Sequence, residues 1–271
     1  MNMLKLPFVV EASELACCRP EEVLVIDLGK EATYRQAHVP GAIHLHYGHL
    51  VLGQPPVPGL LPPLERLAAV FGQHGVGDGR AVVAYDDEGG GRACRLLWTL
   101  DAVGLSPGSL LNGGILAWTQ ENQPIEADMN QVMPYSLQLE STTAALVDRE
   151  FVLNHLHKPG VRLLDARSAE EFDGRKVLAM RGGHIPGARN FNWTDAMDRQ
   201  HQTRLLGKNI LLQRLADLEI FPNQHVITYC QTHHRSAYSY WMLKYLGFSQ
   251  VSGYAGAWAE WGNTRNLPTE I

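Results

Sequence analysis

The chain has 271 residues, 45% of them hydrophobic and 19% charged, which excludes a disordered polymer and leaves room for two domains of ordinary size. Its net charge of −5 gives no electrostatic reason to bind nucleic acid or an anionic membrane. No apolar run approaches the roughly 20 residues of a membrane span, and Met1 to Val10 lacks the apolar core and cleavage site of a signal peptide. Cys17, Cys18, Cys94 and Cys230 form no CxxC metal-ligand pair, and the adjacent Cys17 and Cys18 are poorly placed to bridge each other. A reduced, cytoplasmic protein is expected.

In chain order, Glu22 to Asp27 is an apolar run closing on a carboxylate, the pattern of a buried strand. Tyr34 to Leu45 contains the turn signal Pro40-Gly41, followed by a short apolar run suited to another strand. A proline-rich loop runs from Pro55 to Pro63, and Leu64 to Phe71 is helical in period. Ala81 to Asp86 reads as a third strand. Gly89, Gly90 and Gly91 form a loop, and Arg92 to Val103 is a helix stopped by Gly104. Ser109 to Asn112 is a short strand, and Ile115 to Glu121 a last helix.

The second half repeats this order. Arg162 to Arg167 matches the first strand, Gly183 to Phe191 the segment around Pro40-Gly41, and Val226 to Tyr229 matches Val82 to Tyr85. Trp241 to Gly247 matches Trp98 to Gly104, and Gly253 to Trp258 matches Gly113 to Trp118. Ordered matches at so long a period mean a duplicated domain. The expected organisation is a first domain over 1–126, a mixed polar linker over 127–143 and a second domain over 144–271. Ser141 or Thr142 is expected to cap a helix running toward His157. Strands alternating with helices imply an α/β fold, each domain a parallel sheet with helices on both faces.

Ligands in such folds sit where strands end and loops lead into helices. Cys230 stands at such a point in Val226-Ile-Thr-Tyr-Cys-Gln-Thr-His-His-Arg-Ser-Ala237. Backbone N–H groups and a helix N-terminus converge there, and Arg235 adds a full positive charge. A free cysteine is usually an inert buried residue; this setting instead predicts a thiol that loses its proton easily and acts as a nucleophile. The matching position in the first half is Asp86, which cannot act as a sulfur nucleophile. It is either a solvated loop carboxylate or a packing residue at the domain interface. One active site is therefore expected.

His233 and His234 are adjacent and do not converge on one ion, so no metal is expected; they are read as anion-binding or proton-handling groups at the loop rim. Thr232 and Ser236 offer hydroxyl donors, and Gln231 completes the loop. Asp165 and Arg167 end the first strand of the second half and should orient the loop or contact a ligand. Ser168-Ala-Glu-Glu171 is a capping-box pattern. Arg175, Lys176 and Arg181 form a basic segment, either a solvated loop or an attractor of anions. Trp258, paired with Trp118, and Trp261 are read as core residues. Cys94 is read as a packed small hydrophobe.

Tyr34-Arg-Gln-Ala-His-Val-Pro-Gly-Ala42 and Gly183-His-Ile-Pro-Gly-Ala188 resemble the amino-terminal signature of rhodanese domains. Val251-Ser-Gly-Tyr-Ala-Gly-Ala-Trp-Ala-Glu-Trp261 resembles their carboxyl-terminal signature. The loop Cys230-Gln-Thr-His-His-Arg235 is similar to that of bacterial two-domain rhodaneses. The resemblance implies an inactive first domain, a catalytic second one, and ping-pong transfer of sulfane sulfur from thiosulfate to cyanide or a thiol. The intermediate would be a persulfide on Cys230, with no other cofactor. The animal thiosulfate enzymes carry Arg-Lys-Gly after the cysteine and the mercaptopyruvate enzymes Gly-Ser-Gly; this loop has neither. Glu171 stands where the thiosulfate enzymes have a basic residue.

Two other functions fit the same cysteine. A persulfide relay would hand sulfur to a protein partner, for iron–sulfur clusters or other sulfur-containing products. A cysteine phosphatase of related fold would need Cys-x5-Arg; here four residues separate Cys230 from Arg235, and the tighter bowl suits one sulfur atom better than a phosphate.

Overall fold

The computed structural model describes residues 4–271; Met1 to Met3, the start of the stretch read above for signal-peptide features, lie outside the described residues. The chain divides into two compact units. The first takes the chain up to Leu50, then Pro62–Thr143 and Asp198–Leu205; the second takes Val51–Leu61, Ala144–Met197 and Leu206–Ile271. Residues 127–143, expected as a linker, cluster with the first unit. There the Tyr135 amide donates to the Gly72 carbonyl at 3.2 Å and the Thr143 amide to that of Ala102 at 2.8 Å.

The first half of the chain holds β1 (Val9–Val10), α1 (Ala12–Ala16), β2 (Val23–Asp27), α2 (Glu31–Tyr34) and β3 (Ile43–His44), then α3 (Leu64–Gln73), β4 (Ala81–Tyr85), α4 (Gly91–Ala102), β5 (Ser109–Leu111) and α5 (Gly114–Gln120). The second holds β6 (Leu146–Val147), α6 (Arg149–Asn154), β7 (Val161–Asp165), α7 (Ala169–Phe172), β8 (Arg189–Asn190) and a ribbon of β9 (Met197–Asp198) and β10 (Arg204–Leu205). It closes with α8 (Lys208–Asp217), β11 (His225–Tyr229), α9 (Arg235–Tyr245), β12 (Gln250–Tyr254) and α10 (Ala257–Trp261). The first unit's five-stranded sheet has the order β1-β5-β4-β2-β3, and the second's the order β6-β12-β11-β7-β8. All pairings within these two sheets are parallel. The orders are the same once β1 to β5 are matched to β6, β7, β8, β11 and β12, so the internal repeat is one of topology as well as sequence.

The central strands are apolar because both faces are covered by helices. Every residue of β2 (Val-Leu-Val-Ile-Asp) and of β4 (Ala-Val-Val-Ala-Tyr) is buried. In the second unit Leu163, Ile185, Ile227, Tyr229, Trp258 and Trp261 pack into one core.

Three local expectations are corrected. Ser141 and Thr142 cap no helix; Asp148 caps α6 by accepting from the Phe151 amide at 2.8 Å. The run Ala-Ala-Leu-Val before it reads as helical in isolation, but Leu146 and Val147 pair with Gly253 and Tyr254 as an edge strand. The short strand Val9–Val10 escapes sequence reading because two residues carry no periodicity.

Strand register overturns the third. Ser109 lies beside Val83 and Ser252 beside Ile227, and Val83 and Ile227 each stand two residues before the strand-ending tyrosine. Trp118 therefore matches Trp261, not Trp258. Both indoles donate to a downstream proline carbonyl, Trp118 to Pro124 at 2.7 Å and Trp261 to Pro268 at 2.8 Å. Gly253 to Trp258 and Gly256 to Trp261 have the same spacing as Gly113 to Trp118, so only the pairing could choose between them.

Candidate active site

Cys230 follows directly on β11, whose last residue Tyr229 lies beside Asp165 at the end of β7. The loop 231–234 then turns into α9. The turn needs one left-handed residue, and His233 supplies it with φ of 53°. A second element pins the loop from outside: the Trp258 amide donates to the Cys230 carbonyl at 2.9 Å, and the Ala259 amide to that of Gln231 at 3.0 Å. These amides belong to the first turn of α10, whose own carbonyl ladder leaves them without intrahelical partners.

The thiol is 1% exposed. Burial pushes its pKa up, yet the net shift is downward. The Arg235 charge, the Ser236 hydroxyl and the backbone N–H groups of Ser236 and Thr232 together outweigh desolvation. A buried thiol in apolar surroundings would go the other way, as Cys94 does. Cys94 is buried in α4, the packed small residue expected.

Arg235 is held rigidly. Its Nη1 donates to Glu171 Oε2 at 2.6 Å and its Nη2 to Oε1 at 2.8 Å, a bidentate pair. Glu171 is buried, and burial raises its pKa, but Arg235 and the Ser168 amide bring it down to about 2. Glu171 is in turn fixed by the capping box at the start of α7, in which Ser168 Oγ accepts from the Glu171 amide at 3.4 Å and the Ser168 amide donates to Oε2 at 3.3 Å. The capping box read from sequence thus sets the guanidinium beside the thiol.

The two histidines part company. His233 is fully buried, with Nδ1 2.7 Å from Ser236 Oγ, so it is not a rim residue as expected. The left-handed turn swings its side chain inward. With Cys230 as the thiolate, the Ser236 hydroxyl donates to the sulfur, and its oxygen then accepts from His233 Nδ1–H. His234 is half-buried, 5.8 Å from the ring of Trp193, which also meets Tyr238 edge-on at 5.7 Å. Thr232 is half-buried. Gln231 Nε2 donates to the Leu178 carbonyl at 3.1 Å.

Asp165 and Arg167 lie at the same sheet edge as Cys230, but Arg167 is not open to a ligand. It is 1% exposed, donates through Nε to both Asp165 oxygens at 3.0 Å and through Nη2 to Oδ2 at 2.6 Å, and reaches the Gly183 carbonyl at 2.8 Å. Its guanidinium lies 4.5 Å over the Trp258 ring. Two of the three cations of the basic segment are engaged within the fold. Arg181 donates to the carbonyls of Leu267, Trp261 and Thr264 at 2.5, 2.9 and 2.6 Å, and Arg175 pairs with Asp173 at 2.7 Å. Among the described residues no cluster of His, Cys, Asp and Glu is arranged to hold a metal ion.

The matching site in the first unit is filled from within. Asp86 is 1% exposed, which corrects its reading as a solvated carboxylate. Its Oδ1 accepts from the amides of Glu88 at 3.0 Å and Gly90 at 2.7 Å, its Oδ2 from those of Arg92 at 2.8 Å and Ala93 at 3.0 Å.

Sequence reasoning missed Glu171 as the partner of Arg235, Trp193 beside His234, and Gly59 against the Thr232 backbone. The capping-box pattern marked Glu171 as ordered but not what it ordered. Trp193 and Gly59 carry no local signal, because they approach the loop through the fold alone.

Fold and site together describe a tandem α/β protein with one cysteine set at a strand-to-helix junction of its second unit. The chain belongs to the rhodanese-like domain family, whose model matches residues 13–121 and 148–264. It is 42% identical to a thiosulfate sulfurtransferase of Azotobacter vinelandii, over 100% of this chain and 99% of that one. It is 40% identical to a thiosulfate sulfurtransferase of Pseudomonas aeruginosa, over 98% of both chains. The solved structure of the anaerobic ergothioneine biosynthesis enzyme from Chlorobium limicola superposes with a TM-score of 0.86, covering 97% of this chain and 70% of the other. At 20% identity that likeness shows the fold alone.

Proposed function

We propose that this protein is a sulfurtransferase that takes sulfane sulfur from thiosulfate onto Cys230 and passes it to a thiophilic acceptor. The observation that carries the reading is a wholly buried thiol whose pKa is nevertheless pushed down, by Arg235 and by hydrogen bonds from the loop. In the first step the Cys230 thiolate attacks the outer sulfur of thiosulfate; the S–S bond of the donor breaks and sulfite leaves with its electron pair. In the second, the acceptor attacks the outer sulfur of the Cys230 persulfide and the thiolate is restored. Cyanide leaves as thiocyanate, a thiolate as its persulfide.

The amides of Thr232 and Ser236 and the Ser236 hydroxyl stabilise negative charge on sulfur in the manner of an oxyanion hole. Arg235 acts as a fixed positive charge, since Glu171 occupies its hydrogen-bonding fork. His234, half-buried beside Trp193, is the side chain that meets the donor's sulfonate, while Gln231 ties the loop to the Leu178 carbonyl. His233, Asp165 and Arg167 support the loop from behind. The persulfide is the only carrier this scheme requires. Burial of Cys230 favours a small acceptor, cyanide or a small thiol, over direct delivery to a protein. No helix among the described residues is long and apolar enough to cross a membrane, and a reducing cytoplasmic setting suits four free cysteines.

Mass spectrometry after thiosulfate treatment tests the reading. The wild type should gain one sulfur atom on the peptide carrying Cys230, and Cys230→Ala should gain none. Sulfur transfer surviving in that variant would sink the assignment. Hydrolysis of an aryl phosphate by wild type, lost in the same variant, would move it to the phosphatases.

A further inference from the structure

The segment Val51–Leu61 lies in the first half of the sequence yet clusters with the second unit. It is closed on itself as a strap: the Leu52 amide donates to the Leu60 carbonyl at 2.8 Å and the Gly53 amide to that of Pro58 at 3.0 Å. The tip, residues 53–56, is exposed, while Gly59 is buried. Gly59 has no left-handed backbone, so its conformation is one any residue adopts. What excludes a side chain is space. A Cβ on Gly59 would stand 2.7 Å from the carbonyl carbon of Thr232 and 2.9 Å from its Cα, and closer still to its carbonyl oxygen. All three are backbone atoms and cannot rotate aside.

We infer that the strap is part of the catalytic apparatus, with Gly59 a positioning residue that seats the Thr232 Cα and carbonyl so that the N–H on the other side of that Cα points at the Cys230 sulfur. The amide of Thr232 is one of the groups donating to that sulfur. Thr232 therefore meets the strap through its Cα and carbonyl and the thiol through its N–H, with the Cα joining the two peptide groups. Gly59 touches no reacting atom; it acts by permitting a close backbone approach that any larger residue would push apart. Displacing the Thr232 Cα would tilt the Gln231–Thr232 peptide about its hydrogen bond from the Ala259 amide, weaken the Thr232 N–H donation and make the thiolate less favourable. The inference rests on Cys230 being the nucleophile.

The test uses the full chain and the pH dependence of Cys230 alkylation by iodoacetamide, read on its own peptide, beside sulfur transfer over the same pH range. In Gly59→Ala the alkylation midpoint should rise by about one pH unit, which is about tenfold less thiolate below the midpoint. Sulfur transfer should fall about tenfold at neutral pH and recover toward wild type in alkali, a recovery that a merely misfolded protein would not show. Pro58→Gly, which loosens the strap without adding bulk, should shift the midpoint the same way by less. Gly207→Ala, at a site with nothing within 4 Å of an added Cβ, should match wild type. A folded Gly59→Ala with the wild-type midpoint overturns the proposal. Should Gly59→Ala not fold, an unshifted Pro58→Gly overturns it instead. A wild type whose Cys230 titrates as an ordinary thiol would sink the nucleophile assignment, and this inference with it.

Discussion

The two units build the same turn and fill it differently. After β4 the amides of Glu88 and Arg92 point at Asp86; after β11 those of Thr232 and Ser236, at the same steps of the turn, point at Cys230. Gly89 and His233 take the same left-handed place. In the first unit both carboxylate oxygens are used up by backbone donors, so the turn carries its own anion and is closed. In the second the occupant is a single sulfur atom, and the donors gathered around it stabilise whatever charge that sulfur carries. The supporting residues diverge in step: Arg235 has Gly91 as its counterpart, and Arg167 has Gly29. A duplicated framework therefore does not duplicate chemistry. What distinguishes the units is one side chain in the nest and the two guanidiniums around it.

That contrast can be broken at its strongest point by Arg235→Ala. The thiol loses the neighbouring charge that does most to lower it, and buried Glu171 is left unpaired. Sulfur transfer at neutral pH should drop by about 10- to 100-fold and climb again as pH rises through the higher thiol pKa. Stability should fall by about 3 kcal/mol, the cost of stranding one partner of a buried pair; chemical denaturation measures it. Retained activity with an unshifted pH profile would mean that the loop amides alone set the thiol.

Asp86→Ala probes the other side. Four amides lose their acceptor, and stability should fall by about 2 kcal/mol, while sulfur transfer stays within about twofold of wild type. Asp86→Cys should form no persulfide with thiosulfate, because Gly91 stands where the second unit has Arg235; a sulfur atom gained there would show that the nest is sufficient.

The mildest perturbation is pH alone, read as acid stability. The Glu171 carboxyl has an ordinary value of 4.5 and is held at about 2 when folded. A depressed carboxyl stabilises the fold above its unfolded pKa, so the contribution is complete above about pH 4.5 and is lost as pH falls toward 2. Hydrogen exchange of α9 amides over that range should show protection declining in the wild type and a flatter dependence in Glu171→Gln.

Much of the fold was legible because its signals are local. The apolar runs of β2, β4, β7 and β11, the Pro-Gly turns and the glycine stops recur in order, and that order implies parallel sheets. Less was legible at the site. Cys230 and Arg235 stand out because a thiol and a guanidinium follow a buried strand within one short loop. His233 did not, since nothing in His-His says which ring turns inward until the left-handed turn is known. Arg167 was ambiguous for the same reason: Asp-Ala-Arg at a strand end fits a ligand contact or an internal pair equally well, and only the packing of Trp258 against it decides.

Sequence alone determined the duplication, the α/β class and the position of the one cysteine poised at a strand end, because each is written in contiguous residues. Tertiary structure decided which tryptophan answers to Trp118, that Asp86 closes its own nest, that Glu171 holds Arg235, and that Gly59 lies against the Cys230 loop. These are contacts between segments distant along the chain. Periodicity and spacing describe a segment's own conformation; they contain no term for the neighbour that folding brings against it.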